Sequence, residues 1–200
     1  MRRILSLLGA ALMALPLLAG AATRDDDPRI QPGNLFPVVE METSLGTLVI
    51  ELDRSRARLT VDNFLRYVVD GVYDNSLFHR VEPGFVVQGG GYDANYDSLP
   101  QREQLVNESG NGLRNRIGTI AMARTNDPHS ATNQFYFNLD DNEGLDPGRR
   151  WGYAVFGEIV EGDAVLEQMG QVATDYHSGI GATTVPVEPL RLIRARLRPE

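Results

Sequence analysis

Apolar and polar residues alternate over Val39-Glu40-Met41-Glu42-Thr43 and again from Thr47 to Leu52, with Ser44-Leu45-Gly46 between the two runs. A period of two sends successive side chains to opposite faces, so this pair reads as a β-hairpin. From Leu59 to Asp70 the period lengthens. Val61, Phe64, Leu65 and Val68 fall three and four apart, on one face of a helix. Thr60 is placed to cap the start of that helix and Gly71 to end it. Short strands are expected near Leu77–Val81, Phe85–Gln88, Thr119–Ala123, Gln134–Asn138 and Tyr153–Ile159. Asp163 to Met169 reads as a second short helix, with Val165, Leu166 and Met169 on one face. Val187 to Leu197 closes the pattern as a strand, with Pro189 near its start, where a ladder tolerates proline.

Many short strands and two separated helices give a mostly β fold, either a barrel or a sandwich with helical caps. The 20 glycines and 11 prolines among 200 residues suit that many turns, and the length suits one domain. The absence of cysteine rules out disulfides, thiolate metal sites and a lipoprotein anchor. His79, His129 and His177 are too widely spaced to suggest a histidine metal site. Gly89-Gly90-Gly91 lacks nucleotide-loop spacing, and Asp140-Asp141-Asn142-Glu143-Gly144 lacks calcium-loop spacing. Neither a metal nor any other cofactor is therefore expected.

Arg2 and Arg3 precede an apolar run from Ile4 to Leu18, followed by Ala19-Gly20-Ala21. This is the layout of a secretory signal peptide. The run falls short of the roughly 20 residues that span a bilayer, so no stable membrane insertion is expected after processing. The layout divides the chain into a signal peptide over 1–21, a flexible tether over 22–37 and one domain over 38–200. Loss of the two arginines takes the formal charge from −8 to −10. So acidic a surface repels phosphate backbones and disfavours nucleic acid as a partner.

The chemistry concentrates in Phe78-His79-Arg80-Val81-Glu82-Pro83-Gly84-Phe85-Val86-Val87-Gln88-Gly89-Gly90. An arginine and a glutamine sit in an apolar, strand-like wall. No serine stands beside a base, no carboxylates form a matched pair, and no G-x-S-x-G is present, so hydrolase chemistry is disfavoured. Such a site binds and polarises a substrate without bonding to it.

This run resembles the signature of the cyclophilins, the peptidyl-prolyl cis-trans isomerases. Gly118-Thr119-Ile120-Ala121-Met122-Ala123-Arg124, Asn133-Gln134-Phe135-Tyr136-Phe137 and Tyr153-Ala154-Val155-Phe156-Gly157 resemble the family's further active-site strands, in matching order. With Gly112-Leu113-Arg114-Asn115, the wording is most similar to the exported bacterial branch, which implies a periplasmic protein. The resemblance implies a closed antiparallel barrel with a helix over each end and the active site on its outer face. It implies proline-containing, unfolded or loosely folded polypeptides as substrates.

The resemblance assigns catalysis to Arg80, His79, Gln88 and Phe85. Arg80 is the donor that stabilises the twisted X-Pro bond. His79 braces the strand carrying it, since isomerisation needs no base. Substrate contacts fall to Val86, Ala123, Arg124, Gln134, Tyr136, Leu145 and Tyr153. Tyr136 stands where phenylalanine is usual, and its hydroxyl needs water or a partner. Cyclosporin-sensitive relatives carry a tryptophan beside the pocket leucine; here Gly144 precedes Leu145, so weak cyclosporin binding is expected. The alternative reading is a cyclophilin-like module that holds proline segments, or acts as a chaperone, with little turnover.

Overall fold

The structure, a computed structural model, describes residues 27–200. The expected signal peptide and the first part of the expected tether lie outside the described residues. The hairpin forms as expected, from β1 (Val38–Thr43) and β2 (Gly46–Leu52), with Thr43 opposite Gly46 at its turn. After helix α1 (Arg58–Val69) come β3 (Ser76–Leu77), β4 (Arg80–Glu82), β5 (Val86–Gly89), β6 (Thr119–Met122), β7 (Phe135–Asn138) and β8 (Val155–Glu161). Helix α2 (Asp163–Met169), a hairpin of β9 (Thr174–His177) and β10 (Ala182–Pro186), and β11 (Arg191–Leu197) complete the chain. Nine strands pair antiparallel in the order β3-β11-β1-β2-β8-β6-β7-β5-β4.

That sheet curls into a half-barrel. It corrects the expected closed barrel, because no strand ladder joins its end strands β3 and β4. Only Phe78 and His79 separate the two in the chain, but no hairpin turns there: β3 pairs with β11 and β4 with β5. A single bridge between Ser76 and Asp93, with Leu77 N–H donating to Tyr92 O at 3.0 Å, ties the chain beyond β5 to β3. The sequence reading did not foresee the β9–β10 hairpin, and the last strand starts at Arg191, after Pro189 rather than around it.

The concave side of the sheet holds the core. Met41, Leu48, Ile50, Val87, Ile120, Phe135, Phe137 and Phe156 meet Val61, Phe64, Leu65 and Val68 from α1, and Leu166 and Met169 from α2. The Phe64 ring packs against those of Tyr73, Phe135 and Phe156 at 5.1–5.5 Å. Burying a large aromatic side chain contributes about 1.5–3 kcal/mol, so this stack is a principal support of the fold.

Helix α1 starts differently from expectation. Thr60 lies inside the first turn, and the N-cap position is Ala57, which has no capping side chain. Glu108 caps from outside: its carboxylate accepts from Leu59 N–H, Thr60 N–H and the Thr60 hydroxyl at 2.7–3.2 Å. The helix ends as read. Gly71 adopts φ +67°, its N–H donates to Val68 O, and Val72 N–H donates to Tyr67 O, closing a Schellman motif.

Residues 27–37, the described part of the expected tether, pack against this body. Ile30 is fully buried in the core. Arg54, itself buried, donates to Ile30 O and Gln31 O at 2.6 Å, to Asn34 O, and to Asp62 Oδ1 of α1 at 2.7 Å. Its partners lie on both sides of the expected domain boundary, a contact that no local pattern announces.

Candidate active site

Period-two alternation gives strands β4 to β8 a second set of side chains, pointing away from the core. Register lines them up. Arg80 on β4 lies opposite Gln88 on β5, Gln88 opposite Tyr136 on β7, Tyr136 opposite Ala121 on β6, and Ala121 opposite Val155 on β8. One row thus runs across five strands, polar at one end and apolar at the other. Val86, Ala121, Tyr136 and Val155 form an apolar cluster separate from the core, and Phe85, Leu113, Ala123, Leu145 and Tyr153 pack against it.

The polar end is a chain of hydrogen bonds. Arg80 Nη1 donates to Gln88 Oε1 at 3.0 Å, and Gln88 Nε2 donates to Gln134 Oε1 at 2.8 Å. Arg80 also lies 5.8 Å from the centre of the Phe85 ring, so the cation borders the apolar cluster. Gly91 makes room for Gln134: a side chain there would come within 2.8 Å of the Gln134 amide. The glycine run thus serves close packing.

Each side chain of the apolar end is held from behind. The Pro83-Gly84 turn sets Phe85 at the mouth of β5, and its carbonyl accepts from Leu139 N–H and Asn142 Nδ2, each at 2.9 Å. Leu145 is carried by a 3₁₀ turn over Glu143–Leu145 and accepts from Tyr153 N–H at 2.9 Å. The hydroxyl of Tyr136 finds its partner in the protein, donating to Asn115 Oδ1 at 2.7 Å. Burial raises the Tyr136 pKa well above the usual tyrosine value, so the hydroxyl stays a donor. Asn115 in turn donates to Asp146 from both its backbone and its amide. Partial burial opposes charge on Asp146, but these donors and Arg114 hold its carboxyl below the usual range.

The structure brings Arg80, Gln88, Gln134, Phe85, Val86, Ala123, Tyr136, Leu145 and Tyr153 to one face. Arg124 joins them with its side chain already committed. Its guanidinium stacks 4.3 Å from the Tyr153 ring centre and donates to the carbonyls of Thr125, Trp151 and Gly152. His79 touches that face from behind, through Gln134. It is buried on the link between β3 and β4, edge-on to Tyr92 at 4.8 Å, and its Nδ1 has no partner among the described residues. Burial, seconded by the charge of Arg80, pushes its pKa down to about 4, against the pull of Leu77 and Gln134. The ring is a neutral packing element there.

Sequence reasoning assigned no role to Asn115, Asn142 or Glu82. The first two act through contacts distant in sequence. Glu82 was legible, because a residue two places from Arg80 on a strand shares its face.

Chemically, the face offers N–H donors beside an apolar seat. Such a face can seat an apolar group of a bound chain while the donors beside it meet polar atoms. The family described as "Cyclophilin type peptidyl-prolyl cis-trans isomerase/CLD" matches residues 38–196. Peptidyl-prolyl cis-trans isomerase cyp18 of Streptomyces antibioticus is 45% identical over 80% of this chain and 97% of its own length. Peptidyl-prolyl cis-trans isomerase A of Dickeya dadantii is 43% identical over 80% of this chain and 83% of its own. A cyclophilin-type isomerase of Cryptosporidium parvum shares the fold, with a TM-score of 0.69 at 22% identity, covering 82% of this chain and 99% of its own. The chain belongs to the cyclophilin-type peptidyl-prolyl cis-trans isomerases, and its activity class is rotation of X-Pro bonds.

Proposed function

We propose that the protein accelerates X-Pro rotation non-covalently, with Arg80 as the catalytic donor and Phe85, Val86, Tyr136 and Leu145 as the seat of the proline ring. The barrier to rotation is about 18–20 kcal/mol, because the C–N bond is partly double. In the twisted state the prolyl nitrogen regains its lone pair. A donor aimed there stabilises the transition state more than the planar ground state, which is what raises a rate. Gln88 and Gln134 grip the substrate backbone and orient the arginine. Ala123 and Arg124 contribute main-chain contacts, and Tyr153 closes the rim of the seat. His79 braces the link from which β4 departs.

The observation that carries this reading is the registered row from Arg80 through Gln88 to Tyr136 beside the apolar cluster. The Tyr136 hydroxyl turns to Asn115, which leaves the ring to the seat, while the donor Arg80 beside it is what a module that only holds proline segments would not need. Activity on a panel of X-Pro peptides, wild type against a seat variant, separates the two readings.

We further infer that the protein is exported and acts in the periplasm on unfolded or loosely folded clients, with the mature chain beginning at Ala22 or Thr23. The arginine pair, short apolar run and Ala19-Gly20-Ala21 support that. Among the described residues no helix is long and apolar enough to cross a membrane. N-terminal sequencing of protein from a periplasmic extract tests it; an intact Met1 in the membrane fraction contradicts it. Weak cyclosporin binding follows from Gly144, which offers neither an indole donor nor a ring face.

A further inference from the structure

Arg80 stands on β4, an end strand of the sheet, and no strand pairs with β4 on its far side. Gln88 holds the guanidinium from the near side. Strand β10 packs beside β4 without a ladder to it, so what restrains the arginine fork is side chains on its own sheet face. Glu82 is so placed. It lies two residues along β4, on the same face as Arg80, and its Oε1 accepts from Arg80 Nε at 3.2 Å and from Nη2 at 2.6 Å.

We propose that Glu82 is a positioning residue for the isomerase reaction. With Gln88 it clamps the arginine fork at two points, and so fixes the plane in which the remaining donors lie. The proposal rests on the reading of Arg80 as the catalytic donor. A guanidinium carries five N–H groups. Glu82 takes the Nε–H and one on Nη2, and Gln88 takes one on Nη1, which leaves one N–H on each Nη nitrogen for the prolyl bond. The Phe85 ring backs the same group. Two points of attachment and a ring are enough to hold a planar group still before substrate arrives, and that preorganisation is what a transition-state donor needs.

The carboxylate also has an opposing effect, since its negative charge weakens the field of the arginine. The two side chains are 32% and 35% exposed, so water and salt screen that charge effect. Hydrogen-bond geometry is not screened in the same way. Orientation therefore outweighs neutralisation, and removing Glu82 slows the enzyme.

The test is kcat and KM for X-Pro peptide isomerisation in wild type, Glu82→Ala, Glu82→Gln and Arg80→Ala. Glu82→Ala is expected to lower kcat roughly three- to tenfold with KM and melting temperature little changed, because a misaligned group costs rate rather than ground-state binding. Glu82→Gln keeps an acceptor oxygen and is expected to retain at least about half the wild-type kcat. The Arg80 Nε–H, followed by NMR, is expected to exchange with water faster in Glu82→Ala than in Glu82→Gln. A Glu82→Ala kcat equal to or above wild type overturns the proposal, because the carboxylate would then only drain charge from the arginine. Equal losses in the alanine and glutamine variants also overturn it, because charge and not the acceptor would be acting. If Arg80→Ala itself keeps full activity, the assignment of the donor fails first, and that outcome is separately visible.

Discussion

Acid should weaken this fold through His79 before the carboxylates begin to titrate. The ring is 6% exposed and its Nδ1 has no partner among the described residues, so desolvation of the charged form outweighs what Leu77 and Gln134 return. Its pKa falls from 6.5 to about 4 on folding, chiefly by desolvation. A folded-state pKa below the unfolded value means that the unfolded chain binds the proton more readily. Stability is therefore full above the unfolded value and drains away as pH falls through the interval from 6.5 toward 4. Lowering the pH from about 7.5 to about 5 should remove about 2 kcal/mol through this one group, from the linkage between the two pKa values. Urea unfolding followed by far-ultraviolet circular dichroism measures it, and is preferable to fluorescence because the single tryptophan, Trp151, is half exposed. His79→Gln should start from a lower stability and lose much less of it over the same pH interval. An unchanged pH slope in His79→Gln would refute the reasoning, because the proton uptake would then belong elsewhere.

Two further outcomes follow from the structure. Arg54→Ala removes the 2.7 Å partner of the buried Asp62 carboxylate and leaves the longer contact to Arg58 at 3.7 Å, so it should destabilise the fold by about 3–5 kcal/mol, read as a fall in melting temperature. No side chain of the proposed donor or seat bonds to Arg54, so activity at low temperature should survive the change. Gly144→Trp should raise cyclosporin affinity at least about tenfold, or about 1.4 kcal/mol, while changing turnover much less. Space permits the substitution, since nothing lies within 4 Å of a Cβ built there. Isothermal titration with the drug, alongside the peptide assay, checks both halves.

Sequence periodicity made the helices and the core strands legible because the signal is local. Val61, Phe64, Leu65 and Val68 mark the buried stripe of α1, and all four are in the core. The span of α2 agrees with its expected limits for the same reason. What escaped the reading depends on distance along the chain. Glu108 caps α1 from 48 and 49 residues away, where no local rule looks for a cap. Arg54 reaches back 20–24 residues to bind the carbonyls of Ile30, Gln31 and Asn34, in the described part of the expected tether. The β9–β10 hairpin carries mostly exposed or half-exposed residues, and its register shifts between Ala182 and Val185, so it has no clean alternation to read. The active face was named residue by residue through family likeness. Its physical arrangement comes from strand order, with β5 beside β7 rather than β6, and that order is invisible to any local pattern.

The central claim is that Arg80, presented by an end strand beside an apolar seat, supplies the donor that lowers the rotation barrier. The most direct measurement is the rate of cis-to-trans conversion of an X-Pro peptide by wild type and by Arg80→Ala, with circular dichroism confirming that both are folded. Loss of one preorganised donor costs about 2.7–4 kcal/mol of transition-state stabilisation in well-studied cases, so a fall in kcat/KM of at least about tenfold and up to about a thousandfold is expected. A folded Arg80→Ala protein that turns over the peptide at the wild-type rate would contradict the account.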